Sequence, residues 1–585
     1  MKSNRRQLRP DAVRPKPPPP PSKPRAGWRW WVFAAALLTV FTAYSPALRG
    51  PFLFDDNMLP FAIGDVASAP LRVWMSGVRP ALMFTYWINA RISGDDTFSY
   101  HALNVAIHCA TAWLVYLIVL RLLEWARLAG PRRGLLAGFA AAVFLLHPIQ
   151  TEAVAYLAGR SECLSVMLAF AAFAIFLYRR KQEASWGVVF AVLILFGAAL
   201  LAKEHTIALP ALLILTDYWW NPGFSFRGLW RNWRLYGALA VGAAAGLAMF
   251  WGPMFHANSA GFGLKDFTWY QYFFTQCRAL FVYPVEFVLP VRLTADWDFP
   301  ISRTILDHGA IAGLMALAAL AAAAWHFRRR FPLASYGFFA YLILMAPTSS
   351  ILPIADPVAE RRIYFSMIGL LLILLEPLSR VGVNPRALAA IFAAVVLAAA
   401  GSTYARAAVW ADPMLLWRDT VRKSPRKARV HENLAFQYYS QGSPDLAIPE
   451  FEAAARLEAP NQILLVNWAL AYDDLGQPER ALEKLREAAK LPPPVNNSPA
   501  HVYTQIAVVY AKQSQWAQAL DALATAEKLD PGSPEIYLYR GKVYLATDRP
   551  AEAIPQYERV LAIDAGYQEA QRELAQARAR LAAKP

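Results

Sequence analysis

Residues 187–218 read GVVFAVLILFGAALLAKEHTIALPALLILTDY, one long apolar block interrupted by Lys203-Glu204-His205. A bilayer core takes roughly 17 to 25 apolar residues per helix, and two charges at mid-bilayer are costly. The block therefore splits at the triplet into two membrane helices, 186–202 and 204–220, whose shared turn lies at a membrane surface. The same measure carried outward finds apolar stretches near 28–48, 101–123, 134–147, 161–178, 235–255, 308–326, 333–351, 363–379 and 386–406, about eleven in all. Composition agrees: of 585 residues 57% are hydrophobic and only 17% charged, too apolar for a soluble chain of this size. The expected fold class is all-α, with a polytopic membrane helix bundle as its larger part.

The net charge of +16 is spread in short basic runs between apolar stretches, a distribution that argues against nucleic-acid binding. It fits retention of basic residues near helix ends on the cytoplasmic side. With the Arg-, Lys- and Pro-rich tail 1–27 inside and disordered, alternate loops carry Arg121, Arg127, Arg132 and Arg133, then Arg179, Arg180 and Lys181, then Arg227, Arg231 and Arg234, then Arg328 to Arg330, then Arg380 and Arg386. All fall on the cytoplasmic face. Residues 28–44 read as a retained first helix, because no small-x-small cleavage site follows them. Loops 49–100 and 252–307 then face outward, and an odd number of spans places the C-terminal part outside too. Cys109, Cys163 and Cys277 are scattered, so neither a disulfide framework nor a CxxC metal site is expected.

From Ala428 the chain turns charged and Ala-rich, and similar units recur at about 34 residues, the period of tetratricopeptide repeats. With starts at Ala428, Gln462, Ala500 and Pro534, a small residue recurs at Ala435, Ala469, Ala507 and Gly541, with Tyr438, Tyr472, Tyr510 and Tyr544 three residues on. The second helices supply Ala447, Ala481, Ala519 and Ala553, then Phe451, Leu485, Leu523 and Tyr557. Small residues let paired helices approach and large ones fill the groove beside them. An insertion near Pro492 to Ser498 and a capping helix over 568–583 complete an α-solenoid that offers a concave face to a peptide or partner protein.

Most ionisable residues that are not cytoplasmic anchors cluster on the outer face, which is where a site is to be sought. The first outer loop opens Phe52-Leu53-Phe54-Asp55-Asp56-Asn57. Paired carboxylates beside low-dielectric surface can serve as a general base, although a solvated loop or helix cap is the plainer reading of the pair alone. Around it stand Arg79-Pro80, His101, Asn104 and His108 at helical spacing, His147-Pro148 with Glu152, Arg160 and Glu162, Lys203-Glu204-His205, and Glu360-Arg361-Arg362 with Tyr364. This rim of carboxylates and guanidinium groups suits a lipid-linked phosphate. Helix-to-helix hydrogen bonds explain His101, Asn104 and His108 equally well, as snorkelling explains Arg361 and Arg362.

The ordered motifs FLFDDN, VRPALMFTYWIN, YHALNVAIHC, HPIQTEAVAYLAGRSE, LAKEHTIALPALLILTDY and ILPIADPVAERRIYFSMIG, followed by the repeats, resemble the transmembrane and tetratricopeptide-repeat-containing O-mannosyltransferases, C-type glycosyltransferases that use a polyprenyl-phosphate sugar. The resemblance implies a glycosyltransferase-like membrane domain over 28–410, a connecting helix over 411–427 and the repeat domain over 428–585. It implies a catalytic role for Asp55 and Asp56, unranked, and donor-phosphate or site-lining roles for Arg79, His147, Glu152, Arg160, Lys203, Glu204, Arg361 and Tyr364. The expected reaction is inverting transfer of mannose or another hexose to Ser/Thr hydroxyls of a protein held by the repeats. No cofactor or metal is required, since the leaving phosphate is a stabilised anion. The Ala/Arg-rich character and only about four repeats, fewer than in animal members, suggest a bacterial inner membrane with periplasmic repeats. Transfer to a lipid or glycan, and a non-catalytic membrane scaffold, remain alternatives.

Overall fold

The computed structural model describes residues 27–128, 130–179, 183–221, 224–256, 260–494 and 498–583. The basic tail expected over 1–27, save its last residue, lies outside them, as do Arg180, Lys181 and the middle of the 492–498 insertion. Every regular element among the described residues is helical, and extended backbone pairs only as an isolated bridge between Ala260 and Ile354.

Five helices among the described residues are long and apolar enough to cross a bilayer: Thr97–Trp125, Leu157–Arg179, Asp307–Arg329, Glu360–Arg380 and Pro385–Trp410. Arg133–Leu146 with Pro148–Ala155 makes a sixth if its 49° bend is counted within one span. The expected stretch 134–147 thus ends at a break, where Pro148 lacks the N–H that would continue the helix. Trp186–Leu200 and Pro332–Met345 are apolar but shorter. The stretch 204–220 opens with the tight turn Glu204–Ala208 before helix Leu209–Trp220. Among the described residues five or six helices are thus full-length spans where the sequence suggests about eleven; helices Gly27–Tyr44 and Trp233–His256 cover the first and seventh stretches, and those over 186–202, 204–220 and 333–351 are shorter.

Burial sorts the spans into layers. Leu157–Arg179 and Glu360–Arg380 are each 72% buried and form the centre, whereas Pro385–Trp410 is 17% buried and Asp307–Arg329 only 6%, so both present their length to lipid. Pro332–Met345 and Ile363–Arg380 cross at Gly337 and Gly369. A Cβ on either would stand 2.5–2.6 Å from the other's carbonyl oxygen. Apolar surface gives no net attraction between helices in lipid, and such close backbone approach supplies the packing instead.

The two ends of the bundle differ in chemistry. At one, Arg132 donates to the carbonyl of Val381 at 2.8 Å, Arg380 to that of Arg330 at 2.5 Å, and the Arg328 guanidinium lies 5.1 Å from the Phe224 ring centroid. These contacts gather turns whose basic residues are expected to share one face. The other end gathers residues 49–100, 147–160, 203–208, 289–300 and 353–362.

Eight paired helices from Ala428–Ser440 to Pro550–Ile563 and the terminal Gln568–Ala582 form the solenoid. Its repeating small and large residues are all buried. Gly541 stands where the other units have Ala because a Cβ there would lie 2.6 Å from the Tyr557 ring, the bulkiest of the four large residues. The turn within each unit has positive φ at the same place: Gly442 (73°), Gly476 (69°), Ser514 (60°) and Asp548 (59°).

Candidate active site

The first loop folds back after Gly50 and makes a short turn, Phe54–Met58. Asp56 reaches back to accept from the Leu53 N–H (3.0 Å), half of a capping box. Its other oxygen accepts from the N–H of Ala158 at 2.8 Å, pinning this loop to the linker between two membrane helices. Asp56 is buried. Burial pushes its carboxyl up to about 7, against the pull of those two N–H groups, with Asp55 adding to the rise and Arg160 opposing it. Asp55, beside it, is exposed, and among the described residues its carboxylate has no hydrogen-bond or ion-pair partner.

Phe54 sets the backbone just ahead of the acidic pair. Its φ is 45°, an uncommon conformation for a bulky residue and one that costs about 1–3 kcal/mol unless the surroundings enforce it. The enforcement is aromatic: its ring lies 4.7 Å from Trp417, 5.6 Å from Tyr156 and 6.1 Å from Trp410. Tyr156 stacks on Trp410 at 5.7 Å, and its hydroxyl accepts from the Asp55 N–H at 3.0 Å. Burial, then the charges of Asp56 and Asp55, hold the Tyr156 phenol protonated, while Arg361 opposes them.

Arg361 is the half-exposed cation of this corner. Buried Glu152 accepts from its backbone N–H (2.8 Å) and from its guanidinium, so the side chain is held from behind with 31% of its surface open. A second ionic group adjoins it. Lys203 pairs with Glu162 at 2.5 Å, and Arg79 grips Glu204 through two bonds, 2.7 and 3.2 Å. Burial pushes the Glu204 carboxyl up, but Arg79 and Lys203 together outweigh it and hold the group at about 2. Lys203 and Arg361 feel each other's charge.

The remaining expected residues serve the scaffold. Arg160 is buried and donates to Asn104 Oδ1 (2.7 Å), Thr85 Oγ1 (3.3 Å), Asn89 Oδ1 (2.7 Å) and the Tyr100 carbonyl (2.9 Å), its plane 4.3 Å from the Tyr86 centroid. That leaves little for a phosphate. His147 Nδ1 accepts from the Ile149 N–H (3.2 Å), so its Nε2 carries the hydrogen given to the Phe287 carbonyl at 2.9 Å. It caps the break between two helices. Tyr364 is buried and meets His108 Nδ1 at 2.7 Å. His101 binds the Gly50 carbonyl and Asn104 those of Val154 and Tyr156. Arg362 does not snorkel: it turns inward to the Tyr272 hydroxyl (3.1 Å) and the Pro357 carbonyl (2.7 Å). No group of three or more His, Cys, Asp or Glu side chains among the described residues is placed to hold a metal ion.

The repeats begin against this corner. Helix Pro413–Lys423 carries Trp417, which packs with Phe54, Met414, Val430 and Leu434. An ionic seam runs beside it. Arg429 bonds Asp296 and Asp356 at 2.8 Å each, Lys427 reaches the same two carboxylates, and Arg426 pairs with Asp298 at 3.0 Å. Burial would raise the Asp356 carboxyl, yet Arg429 and Lys427 keep it well below the usual carboxylate range.

Comparison with known proteins adds to this geometry. Residues 504–568 match the tetratricopeptide repeat family. Protein O-mannosyl-transferase Tmtc1 of Drosophila melanogaster is 34% identical over 197 residues, 30% of this chain and 21% of that one. Protein O-mannosyl-transferase TMTC1 of Homo sapiens is 25% identical over 498 residues, 72% of this chain and 55% of that one. TMTC3 of Mus musculus is 23% identical over 533 residues, 83% and 57%. The chain is a homologue of these protein O-mannosyl-transferases. It spans about half the length of the latter two relatives.

Of the residues singled out in this homologue's sequence, the fold brings Asp55, Asp56, Glu152 and Arg361 into one corner and sets Arg79, Lys203 and Glu204 beside it. Arg160, His147 and Tyr364 lie behind it, in the packing. Sequence reasoning missed Phe54, Tyr156, Trp410 and Trp417 as a group. Only Phe54 carries a local signal, as an aromatic residue beside the acidic pair, and the tryptophans read as ordinary interface anchors.

Proposed function

We propose that this chain transfers a hexose from a polyprenyl-phosphate donor to a Ser/Thr hydroxyl of a protein on the non-cytoplasmic face, in an eleven-span topology that places repeats and site outside. The observation that carries the reading is the asymmetry of the acidic pair: Asp56 is spent on two backbone N–H groups, while Asp55 is exposed on the turn so anchored. Asp55 takes the proton as the acceptor oxygen attacks the anomeric carbon, and the bond from that carbon to the phosphate oxygen breaks with inversion. Arg361, held from behind by Glu152, faces the departing phosphate, with Lys203 and Arg79 supplying positive potential nearby. The leaving group is a stabilised anion, so positioning and charge stabilisation supply the rate without a resident cofactor. The repeats, seated on Phe54 through Trp417, raise the local concentration of an acceptor held along their concave face.

The test is glycoproteomics of envelope proteins from cells carrying wild-type chain, no chain, or Asp55→Asn at matched abundance. Hexose on Ser/Thr is expected to vanish in the last two. Modification that persists with Asp55→Asn removes the assignment, and loss confined to a glycolipid moves the acceptor from protein to lipid.

A further inference from the structure

The basic end of the bundle holds a cavity for which the proposed transfer has no use. It measures about 350 Å3 and is lined by Trp219, Trp220, Phe224, Arg328, Arg329 and Pro332. Its depth in the bilayer follows from Asp307–Arg329, the span only 6% buried: a helix that faces lipid along its length and ends in two arginines puts them in the headgroup layer. Trp325, one turn earlier, is exposed, as an interfacial aromatic should be.

The lining offers donors and cations without an answering acceptor. Arg328 gives one N–H to the Trp325 carbonyl at 2.6 Å and lies 4.3 Å from that ring's centroid, but its Nε is buried with no partner, as is the indole N–H of Trp220. Arg329 is exposed and has no ion pair among the described residues. The neighbouring acids are committed elsewhere. Glu376 accepts from the N–H groups of Leu333 and Ala334 and pairs with Arg380; Asp217 accepts from Asn232 and Tyr236. Buried donors left unmade are costly, and two guanidinium groups with an indole N–H between aromatic walls match a phosphodiester attached to an apolar tail.

We propose that this cavity binds the headgroup phosphate of an anionic glycerophospholipid whose acyl chains run down the lipid-facing side of Ala310–His326. The site is separate from the sugar donor's, which lies at the opposite end of the bundle.

Full-length protein in detergent, titrated with phosphatidylglycerol or phosphatidylcholine and read by native mass spectrometry, tests this. One phosphatidylglycerol is expected to stay bound at concentrations where phosphatidylcholine does not. Arg328→Gln with Arg329→Gln is expected to weaken it about 30-fold, the effect of removing two interfacial cations. Trp220→Phe keeps the aromatic wall and removes one donor, and about tenfold weaker binding is expected. Arg231→Gln, at the same end but outside the lining, is expected to change nothing. Equal retention in the double variant and in Trp220→Phe overturns the proposal. So does equal loss in Arg231→Gln, which would mean a diffuse field. Displacement of the lipid by sn-glycerol 3-phosphate at similar concentration would mean a free-phosphate site.

Discussion

Replacing each member of the acidic pair by asparagine separates chemistry from architecture. Asp55→Asn alters an exposed carboxylate with no partner, so stability should be unchanged within about 0.5 kcal/mol. Removing a general base lowers the rate of transfer by about 100- to 10,000-fold, roughly 3 to 5 kcal/mol of barrier. Asp56→Asn does the reverse. Each Asp56 oxygen accepts one backbone N–H, and a protonated carboxyl still has an acceptor lone pair on both oxygens, whereas an amide presents N–H to one of the donors. One buried N–H is left facing another, at a cost of about 1–3 kcal/mol. The pH dependence has a definite sign. The folded-state value of about 7 lies above the ordinary 3.8, so the contribution of Asp56 is fully present below about pH 4 and lost as pH rises through 7. Asparagine has no such loss. The deficit of Asp56→Asn should therefore be larger at pH 5.5 than at pH 8. The assay is hexose transfer from synthetic polyprenyl-phosphate hexose in proteoliposomes, with thermal inactivation of the same preparations at pH 5.5 and 8. Asp55→Asn retaining more than a tenth of wild-type rate, or a deficit for Asp56→Asn that grows with pH, would refute the division of labour.

Three other outcomes follow from the packing. Gly369→Ala pushes a methyl to within 2.5 Å of the Gly337 carbonyl oxygen, and overpacking of about 1–3 kcal/mol should appear as faster thermal inactivation; an unchanged half-life would mean that the two helices slide freely. Ser514→Gly relieves a left-handed residue in the third repeat and should stabilise the solenoid by up to about 1 kcal/mol in a urea titration, whereas Gly476→Ser should weaken it. Asp296→Asn with Asp356→Asn removes both carboxylates that Lys427 and Arg429 share. Limited proteolysis between 423 and 428 should then speed up with little change in the melting of the repeats themselves, and equal cleavage rates would show that the aromatic packing on Phe54 holds the junction alone.

The acidic pair, the basic turns and the repeat period were legible because each is a local pattern with its own physical cost: charge in lipid, small residues between paired helices, a donor left open at a turn. The roles of Arg160 and His147 were not, because a polar residue near a helix end looks the same whether it faces solvent or four partners drawn from distant segments. The same limit applies to span counting. A hydropathy window sees the apolar character of 204–220 and 134–147, but the tight turn at Glu204–Ala208 and the bend at His147 depend on backbone hydrogen bonds that it does not contain.

By itself the sequence determined that the chain is helical, that lipid solvates its larger part and that a solenoid follows, since these depend on periodicity and transfer free energy summed over neighbouring residues. Only the tertiary structure decided which aspartate is exposed, which arginine keeps an open face and where the repeats sit. Those outcomes turn on contacts across separations of 100 residues or more, such as Asp56 with Ala158 and Phe54 with Trp417, and no local pattern encodes which of two adjacent carboxylates the fold will bury.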